Sequence, residues 1–457
     1  MRVLLVRPPR IKKAIALGEF MYSEPIGLEM VYKVLEDKYE VEIFDMMADN
    51  MPLDEKIRAY KPQVIAITSL CIDVIKVLSI SRQIKELNNS IVTIVGGTQA
   101  YLNPGAFMDS SMDHIMKYSN EKNLLKLYGE IEKVCEIPLI DGVLSKSRNY
   151  EDSKVPGVNE YILPNRKSTQ KYRHNYSYFG YKPTAIMGTS RGCAKTCRFC
   201  LRWRIEGHAE EYFPMDMVKE DIRNIKEDYV MVFDNDFLHN SERINEICNF
   251  LEDEKINKKF ICYASVHSIL ENKETVKRFK DNGLVALLVG YETFKSDELE
   301  YYEKKSTIDD NLEASRFLKS INVDVWASFM VHPDWTKEDF KGFRQYIKLL
   351  SPQVSSFSPL TPFPNLPLYK EYEDRLLVKK DDYESWSFGQ ITIRPSNMSL
   401  SSYYLETLKT NFYINLFTNN VFYMVKKFGI GRVIRLSQGS FNLLIKYLKL
   451  MAKNSKS

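Results

Sequence analysis

The sequence lacks a long apolar run. None of its 457 residues belongs to a stretch of roughly 18 or more apolar residues, the length that a membrane-spanning helix needs. Its start, MRVLLVRPPR, has charges on both sides of a short apolar segment, which predicts a first β-strand rather than a signal peptide. These two absences predict a cytoplasmic protein.

Cysteine is scarce, and so is excess charge. Seven cysteines in 457 residues do not make a disulfide framework, as expected of a protein from a reducing compartment. The net charge of +4 is too small to indicate a nucleic-acid partner. The length predicts two or three domains with sizeable cores.

Three of the seven cysteines nevertheless fall close together, as Cys193, Cys197 and Cys200 in the segment GTSRGCAKTCRFCLRWR. Thiolates are soft ligands suited to iron–sulfur clusters, and three on one loop can hold three irons of a 4Fe-4S cluster while the fourth stays open. Structural zinc wants four ligands, and no second cysteine pair follows, so zinc is the weaker interpretation. Three metal-free thiols are a weaker alternative still.

The first 140 residues alternate short apolar runs with helical patterns, which predicts an open parallel sheet. The predicted strands are 3–6, 41–44, 64–68, 91–95 and a weaker fifth near 114–117. Ligands of such sheets bind beyond the carboxyl ends of the strands. This rule selects as cofactor-binding candidates Ser69, Leu70, Gly96, Gly97, Thr98 and Gln99.

A second alternation of strands and helices begins at about residue 184. Between the two, residues 141–183 have little periodicity and several Pro and Gly breaks, so they predict a linker. Six strands are predicted, at 185–188, 229–233, 260–264, 284–290, 325–331 and 354–357. Active groups of βα barrels lie at the carboxyl ends of the strands, and the cysteine loop directly follows the first of these six.

The cysteine loop resembles the signature of the radical SAM enzymes. The preceding segments, RPP, EPIGLEMVYKVLED, VEIFD, VIAITS and VGGTQAYLNPG, resemble the cobalamin-binding domain that many of these enzymes carry. The resemblance implies an α/β fold with a Rossmann-like cobalamin-binding domain (1–140), a linker (141–183), a partial (βα)6 radical SAM barrel (184–375) and an α-helical C-terminal region (376–457). It implies a 4Fe-4S cluster on the three cysteines, S-adenosylmethionine and cobalamin as cofactors.

Other barrel segments are similar to the family residue by residue. VFDNDFL resembles a common DDxF segment, which makes Asp234 and Asp236 catalytic candidates. VGYET places Gly290 and Glu292 where relatives have a glycine and an acid near the nucleoside of S-adenosylmethionine. Helix caps and loop salt bridges are the alternative role for these carboxylates. Ser265 stands where many relatives carry arginine.

Within the family, segments such as YRHNYSYFGYKP and SPLTPFPNLPLY resemble the branch of the hopanoid ring methylases and anaerobic protoporphyrin-ester cyclases. The resemblance implies methyl transfer from methylcobalamin to an unactivated carbon of an apolar, lipid-like substrate, started by a 5′-deoxyadenosyl radical. An external one-electron reductant such as flavodoxin or ferredoxin is implied as partner. Two alternatives stay open: a cobalamin-dependent oxidase or cyclase without methyl transfer, and a non-enzymatic cobalamin carrier or regulator.

A methylthiotransferase is set aside, because it would need three more cysteines in the first domain, which has only Cys71 and Cys135. The first domain also lacks a DxHxxG motif, and His114 is its only histidine. The sequence therefore predicts bound cobalamin whose cobalt has no protein histidine beneath it.

The tail from Ser402 onward has nine basic residues and one acidic residue, a net charge of +8, so the rest of the chain carries −4. It is also rich in aromatic and aliphatic residues at helical spacing. Such a segment predicts peripheral contact with the inner membrane face, with Phe412, Tyr413, Leu416, Phe422 and Tyr423 as anchors. Helices that pack on the enzyme with a solvated basic face are the alternative.

Overall fold

A computed structural model of the chain describes residues 1–11, 21–133, 136–419 and 421–454. Cys135 lies outside the described residues. The chain divides into two compact units. Among the described residues, the first unit contains 1–11, 24–133, 136–175 and 381–386, and the second contains 21–23, 176–380, 387–419 and 421–454.

The strands, in chain order, are β1 (Arg2–Arg7), β2 (Met21–Tyr22), β3 (Glu40–Asp45), β4 (Val64–Thr68), β5 (Val92–Gly96), β6 (His114–Met116), β7 (Val143–Ser145), β8 (Ser177–Tyr178), β9 (Thr184–Met187), β10 (Ser190–Arg191), β11 (Glu211–Tyr212), β12 (Tyr229–Val232), β13 (Lys259–Ala264), β14 (Leu284–Glu292), β15 (Asp324–Val331) and β16 (Val354–Pro359).

The helices are α1 (Ile26–Leu35), α2 (Leu53–Tyr60), α3 (Val74–Leu87), α4 (Thr98–Leu102), α5 (Glu121–Glu132), α6 (Arg202–Glu206), α7 (Met215–Asn224), α8 (Ser241–Asp253), α9 (Val266–Glu271), α10 (Lys273–Asp281), α11 (Ser296–Tyr301), α12 (Ile308–Ser320), α13 (Lys337–Leu350), α14 (Pro367–Glu371), α15 (Leu400–Tyr413), α16 (Val421–Phe428) and α17 (Ile430–Asn454).

The first unit is a sheet of order β3-β1-β4-β5-β6-β7, parallel except for β7, which pairs antiparallel with β6. Both faces are buried: Leu4 and Val6 pack into one core, and Val3 and Leu5 pack into the other. A strand buried on both faces has a continuous apolar sequence. For this reason β1 could be predicted from its sequence. All five predicted strands are present, whereas β7 lies in the segment predicted as a linker.

The second unit contains a parallel sheet of order β16-β15-β14-β13-β12-β9. These are the six strands that the sequence predicts, in sequential order, as in a partial βα barrel. Side-chain caps begin two of the intervening helices: Asn240 accepts from the Arg243 N–H, and Thr336 forms a capping box with Asp339. Because all six strands are parallel, their carboxyl ends meet at one edge.

The C-terminal region is helical, as predicted, with α15 followed by one π-helical turn, α16 and α17. Tyr403 donates a hydrogen bond to the His332 carbonyl at the carboxyl end of β15, at 2.9 Å. Asn419 accepts one from the Ser355 N–H near the amino end of β16, at 2.7 Å. Residues 403–419 therefore run from the carboxyl edge of this sheet to its amino edge, and Tyr447 of α17 packs back against Tyr404 of α15. Among the described residues, no helix combines the length and the apolar character needed to cross a bilayer.

Candidate active site

The cysteine loop follows β9 and is folded by its own backbone contacts. Gly192 has φ +80°, and a Cβ there would lie 2.0 Å from the Ala209 carbonyl oxygen, so only glycine fits. The Cys193 N–H donates to the Gly207 carbonyl at 3.2 Å. The Trp203 indole donates to the Cys197 carbonyl at 3.1 Å, so this tryptophan packs against the loop.

The three cysteines lie in one electrostatic environment. Cys193 and Cys197 are buried, Cys200 is partly exposed, and the Cys200 thiol acts on the pKa of both others. Burial raises the pKa of Cys193 to about 11 and also raises that of Cys197. As free thiols, Cys193 and Cys197 would stay protonated at neutral pH, whereas a bound metal makes such groups thiolates.

In the described part of the chain, no three His, Cys, Asp or Glu side chains converge closely enough to hold a single ion. A 4Fe-4S cluster does not need such convergence, because each of its cysteines binds a different iron. Three soft donors on one short, partly exposed loop fit that cluster better than they fit zinc.

Asp234 follows β12 and holds the start of the cysteine loop. Its carboxylate accepts from the Thr189 N–H at 2.7 Å, the Thr189 hydroxyl at 2.6 Å and the Ser190 hydroxyl at 2.8 Å. Complete burial raises its pKa, and these hydrogen bonds only partly offset that effect. The contacts of this predicted catalytic candidate are thus those of a group that positions the loop.

Asn235, which sequence reasoning missed, holds the next part of the loop. Its amide donates to the Gly192 carbonyl and to Glu206, both at 2.7 Å, and accepts from Arg202 at 2.7 Å. The only sequence signal was its place between the two predicted aspartates.

Asp236 contacts a third part of the cysteine loop, at Lys195. Its carboxylate accepts from Lys195, which lies between the first two cysteines, and from the hydroxyls of Ser265 and Ser268 at 2.9 and 2.7 Å. Burial would raise its pKa, but Lys195 and the hydrogen bonds outweigh burial and lower it. Asp236 therefore stays ionised, and Ser265 donates to it through both its N–H and its hydroxyl.

Gly290 and Glu292 lie at the carboxyl end of β14, where Glu292 pairs with Lys304. The Lys304 ammonium donates to Glu292 Oε1 at 2.8 Å. A Cβ on Gly290 would lie 2.2 Å from that same oxygen, so the glycine makes room for the ion pair. The loops after β9, β12, β13 and β14 thus bring together the predicted residues of the second unit: Cys193, Cys197, Cys200, Asp234, Asp236, Gly290 and Glu292.

The predicted cofactor loops of the first unit lie at the carboxyl ends of β4 and β5. Gly97 has φ +95°, and a Cβ there would lie 2.8 Å from the Ser69 N and O atoms, so these two loops touch. Gln99 N–H donates to the Ser69 carbonyl at 3.1 Å. Leu70 is exposed, Thr98 half-buried, and a Cβ on Gly96 would make only ordinary contacts.

His114 lies at the amino end of β6, away from these loops along its sheet. It is buried, and its Nδ1 is 2.9 Å from the Ser145 hydroxyl on β7. Burial lowers its pKa to about 4. No histidine occurs in the sequence of the segments that follow β1, β4, β5 and β6. These loops fit cobalamin without a histidine on cobalt.

The second unit has a partial parallel barrel with three cysteines after its first strand, and the first unit has an open parallel sheet. Both arrangements are typical of cofactor-binding α/β proteins. Residues 187–347 match the Radical SAM superfamily, and residues 20–124 match the B12 binding domain family. The chain therefore carries a radical SAM domain and a B12-binding domain.

Individual proteins agree with this assignment. The hopanoid C-3 methylase of Methylococcus capsulatus is 25% identical over 86% of this chain and 76% of its own length. The anaerobic magnesium-protoporphyrin IX monomethyl ester cyclase of Rubrivivax gelatinosus is 23% identical over 84% and 71%. Among solved structures, the methyltransferase TsrM of Kitasatospora setae (TM-score 0.69, 16% identity, 90% and 89% covered) and the cobalamin-dependent enzyme OxsB (0.71, 15%, 98% and 71%) share the fold.

Proposed function

We propose that this protein is a cobalamin-dependent radical SAM methyltransferase that adds a methyl group to an unactivated carbon of an apolar, lipid-like substrate. The observation that carries the proposal is the three-cysteine loop, fixed by the Asp234–Asp236 segment in a chain that also has a B12 binding domain. Relatives named as methylases of a hopanoid and of bacteriochlorophyllides support methylation of a large apolar molecule.

Each candidate residue receives a role. Cys193, Cys197 and Cys200 hold the 4Fe-4S cluster, while Asp234, Asn235 and Asp236 position their loop. Gly290 and Glu292 lie beside S-adenosylmethionine, and the loops of Ser69, Leu70 and Gly96 to Gln99 line the cobalamin site. When bound, these cofactors supply the radical and the methyl group. A one-electron reductant such as flavodoxin or ferredoxin reduces the enzyme.

The second candidate function is oxidation or cyclisation without methyl transfer, which relatives named as protoporphyrin ester cyclases support. Product analysis separates the two. Anaerobically reconstituted enzyme with cobalamin, a one-electron reductant, S-adenosylmethionine and a lipid extract from a strain lacking the gene should form 5′-deoxyadenosine, S-adenosylhomocysteine and a methylated lipid. A cyclase would form 5′-deoxyadenosine without S-adenosylhomocysteine.

The same experiment tests the cysteines. Replacing any one of them with alanine should abolish formation of 5′-deoxyadenosine, because a cluster that loses a ligand on this loop is not retained in its active form. A triple alanine variant that still binds four irons per chain and still forms 5′-deoxyadenosine would overturn the assignment. The absence of an iron–sulfur absorption band after reconstitution would favour the non-enzymatic carrier or regulator alternative.

The enzyme also contacts the inner membrane face through its tail. Side chains of α15 to α16 form an exposed apolar patch, here called the tail patch, of Phe412, Leu416, Phe417, Val421 and Phe422. Exposed residues also form a stripe on α17, at Ile430, Ile434, Phe441, Ile445 and Leu448, within about 60° of one another at 100° per residue. Tyr423 instead contacts Asp324, so it is not an anchor.

A further inference from the structure

Lys304 is a largely buried ammonium beside the cysteine loop, and none of the roles above uses its charge. Its side chain is 14% exposed, and its Nζ donates to Glu292 Oε1 at 2.8 Å. Nζ also lies 6.0 Å from the centre of the Phe199 ring, within the loop. Burial would lower its pKa, but the ion pair with Glu292 outweighs burial and raises it, so the side chain stays charged.

The segment that carries Lys304 is docked on the cysteine loop at several points. The Arg198 N–H donates to the Tyr302 carbonyl at 3.2 Å, and the Thr196 hydroxyl donates to Glu303 at 3.1 Å. The rings of Phe199 and Tyr302 pack edge to face with centroids 5.5 Å apart. These contacts flank Cys197 in sequence, so they fix the position of Lys304 relative to that cysteine.

Glu292, the ion-pair partner of Lys304, has a strained backbone conformation. Glu292 has φ +64°, and the β14–β15 register shifts between Gly290 and Glu292. The bulge turns the carboxylate back over Gly290, where a Cβ would lie 3.3 Å from Lys304 Nζ. Left-handed non-glycine residues persist only where the surroundings over-determine them, and they concentrate at functional sites.

We propose that Lys304 is a positioning residue that sets the electrostatic potential at the cluster and thereby stabilises its reduced state. The inference rests on the proposed function, because it requires the cluster on Cys193, Cys197 and Cys200. Reduction adds one electron from the external reductant and neither makes nor breaks a bond. A nearby cation favours the more negative state, and the low dielectric of a buried site strengthens this effect, while Glu292 opposes it.

The test is the midpoint potential of the cluster in the reconstituted full chain, measured by redox titration with electron paramagnetic resonance. Neither S-adenosylmethionine nor substrate is present, so turnover does not enter. Lys304→Met should shift the potential to more negative values. A tenfold lower ratio of reduced to oxidised cluster at fixed applied potential corresponds to about 59 mV for one electron.

Companion variants separate charge from structure. Lys304→Arg keeps the charge and should stay near the wild-type potential, as should Lys305→Met at the exposed neighbouring position. Glu292→Gln removes the opposing charge and should shift the potential the other way, to more positive values. A merely structural role for the ion pair does not predict shifts of opposite sign.

Lys304→Met with full iron content and an unchanged potential would overturn the inference, as would shifts of the same sign in Lys304→Met and Glu292→Gln. If Lys304→Met fails to retain iron, Glu292→Gln decides: a positive shift supports the inference, and no shift overturns it. Failure of the wild-type chain to assemble any cluster would instead refute the proposed function.

Discussion

Gly97 lies in close contact with the end of the neighbouring strand β4 and the residue after it. Its φ is +95°, and a Cβ would lie 2.8 Å from the Ser69 backbone and from the Thr68 hydroxyl. We expect Gly97→Ala to lower the free energy of unfolding by about 1–3 kcal/mol, because both strain and a clash are introduced. Urea unfolding of the cofactor-free chain measures the change.

Gly96 provides the matched control for Gly97. A Cβ there would lie 3.8 Å from the Met116 carbonyl oxygen, which is ordinary contact. Gly96→Ala should therefore change the unfolding free energy by less than about 1 kcal/mol in either direction. Equal effects of the two substitutions would contradict the assignment of the strain to Gly97.

Asp234 gives a second prediction at the residue scale. Asp234→Ala leaves the Thr189 N–H and the two hydroxyls that it binds without their acceptor, at about 1–3 kcal/mol for each buried donor left unsatisfied. Iron content after reconstitution and stability of the cofactor-free chain should both fall. Asp253→Ala, at an exposed position of α8, should change neither.

A different outcome would restore the catalytic role that the sequence predicted. If Asp234→Ala keeps wild-type iron content and stability but loses cleavage of S-adenosylmethionine, the carboxylate acts on a reactant. The positioning role requires that the loss of activity follow the loss of iron.

Residue types and spacing predicted these positions only in part. The three cysteines were predictable because their chemistry is local to one segment. Asn235 and Lys304 were not, because each is defined by contacts with residues 12 to 43 positions away in sequence. The sequence predicted Asp234 and Asp236 as catalytic candidates, with loop salt bridges as the alternative role. Their hydrogen-bond partners, which lie 29 to 45 residues away in sequence, follow only from the fold.

At the scale of elements, the predictable strands were those with long apolar runs buried in parallel sheets. The weakest case was β7, with three residues, and the pattern around it predicted a linker. Its burial comes from antiparallel pairing with β6 rather than from its own periodicity. Short edge strands of this kind form because of tertiary contacts, and the local sequence pattern does not predict such contacts.

The pairing of β6 with β7 also bears on cobalt ligation. His114 is bonded to Ser145 at the amino end of β6, whereas ligands of parallel sheets bind at the carboxyl ends. We expect the electron paramagnetic resonance spectrum of bound cob(II)alamin to lack nitrogen superhyperfine splitting from an axial imidazole, in both wild type and His114→Gln. Such splitting in the wild type would contradict the prediction.

His114 should instead contribute to pH-dependent stability. Burial lowers its folded pKa to about 4, with a smaller raising effect of Asp113 and a smaller lowering effect of Lys85. The unfolded chain therefore binds an extra proton between about pH 4 and 6.5. The free energy of unfolding should fall as pH falls through that window, by at most about 3 kcal/mol. The pH dependence of the unfolding free energy should therefore be weaker in His114→Gln than in the wild type, while the contribution of His332 is the same in both. Equal pH dependence in the two proteins would refute the role of His114.

At the scale of the whole molecule, charge is unevenly distributed, with +8 in the tail and −4 elsewhere. One ion pair with the rest of the chain neutralises part of this excess, because Lys427 in the tail pairs with Asp324 outside it. Each remaining basic residue contributes roughly 1 kcal/mol only while it lies near an anionic surface, and salt screens this part of the binding free energy. The exposed apolar side chains therefore have to supply the rest of the binding free energy.

Removing the tail at Ser401 would be a poor test of this idea, since Tyr403 and Tyr404 are buried and Glu406 pairs with Arg344 at 3.3 Å. Point substitutions avoid that problem. Phe417 is 75% exposed and Phe422 is 90% exposed, so serine at both positions should leave the fold intact. Leu349→Ser, at a position 66% exposed on α13 and outside the tail, is the matched control.

Flotation with vesicles of phosphatidylcholine and phosphatidylserine measures the docking. The wild-type chain should float at low salt, bind pure phosphatidylcholine less, and be released at high salt, because surface charges are screened. Burying a phenylalanine side chain contributes about 1.5–3 kcal/mol, so the double variant should bind at least about tenfold more weakly, while Leu349→Ser binds as wild type does. Equal binding by the double variant and the control would refute docking through the tail patch, and turnover of a small water-soluble substrate alone would refute the lipid assignment.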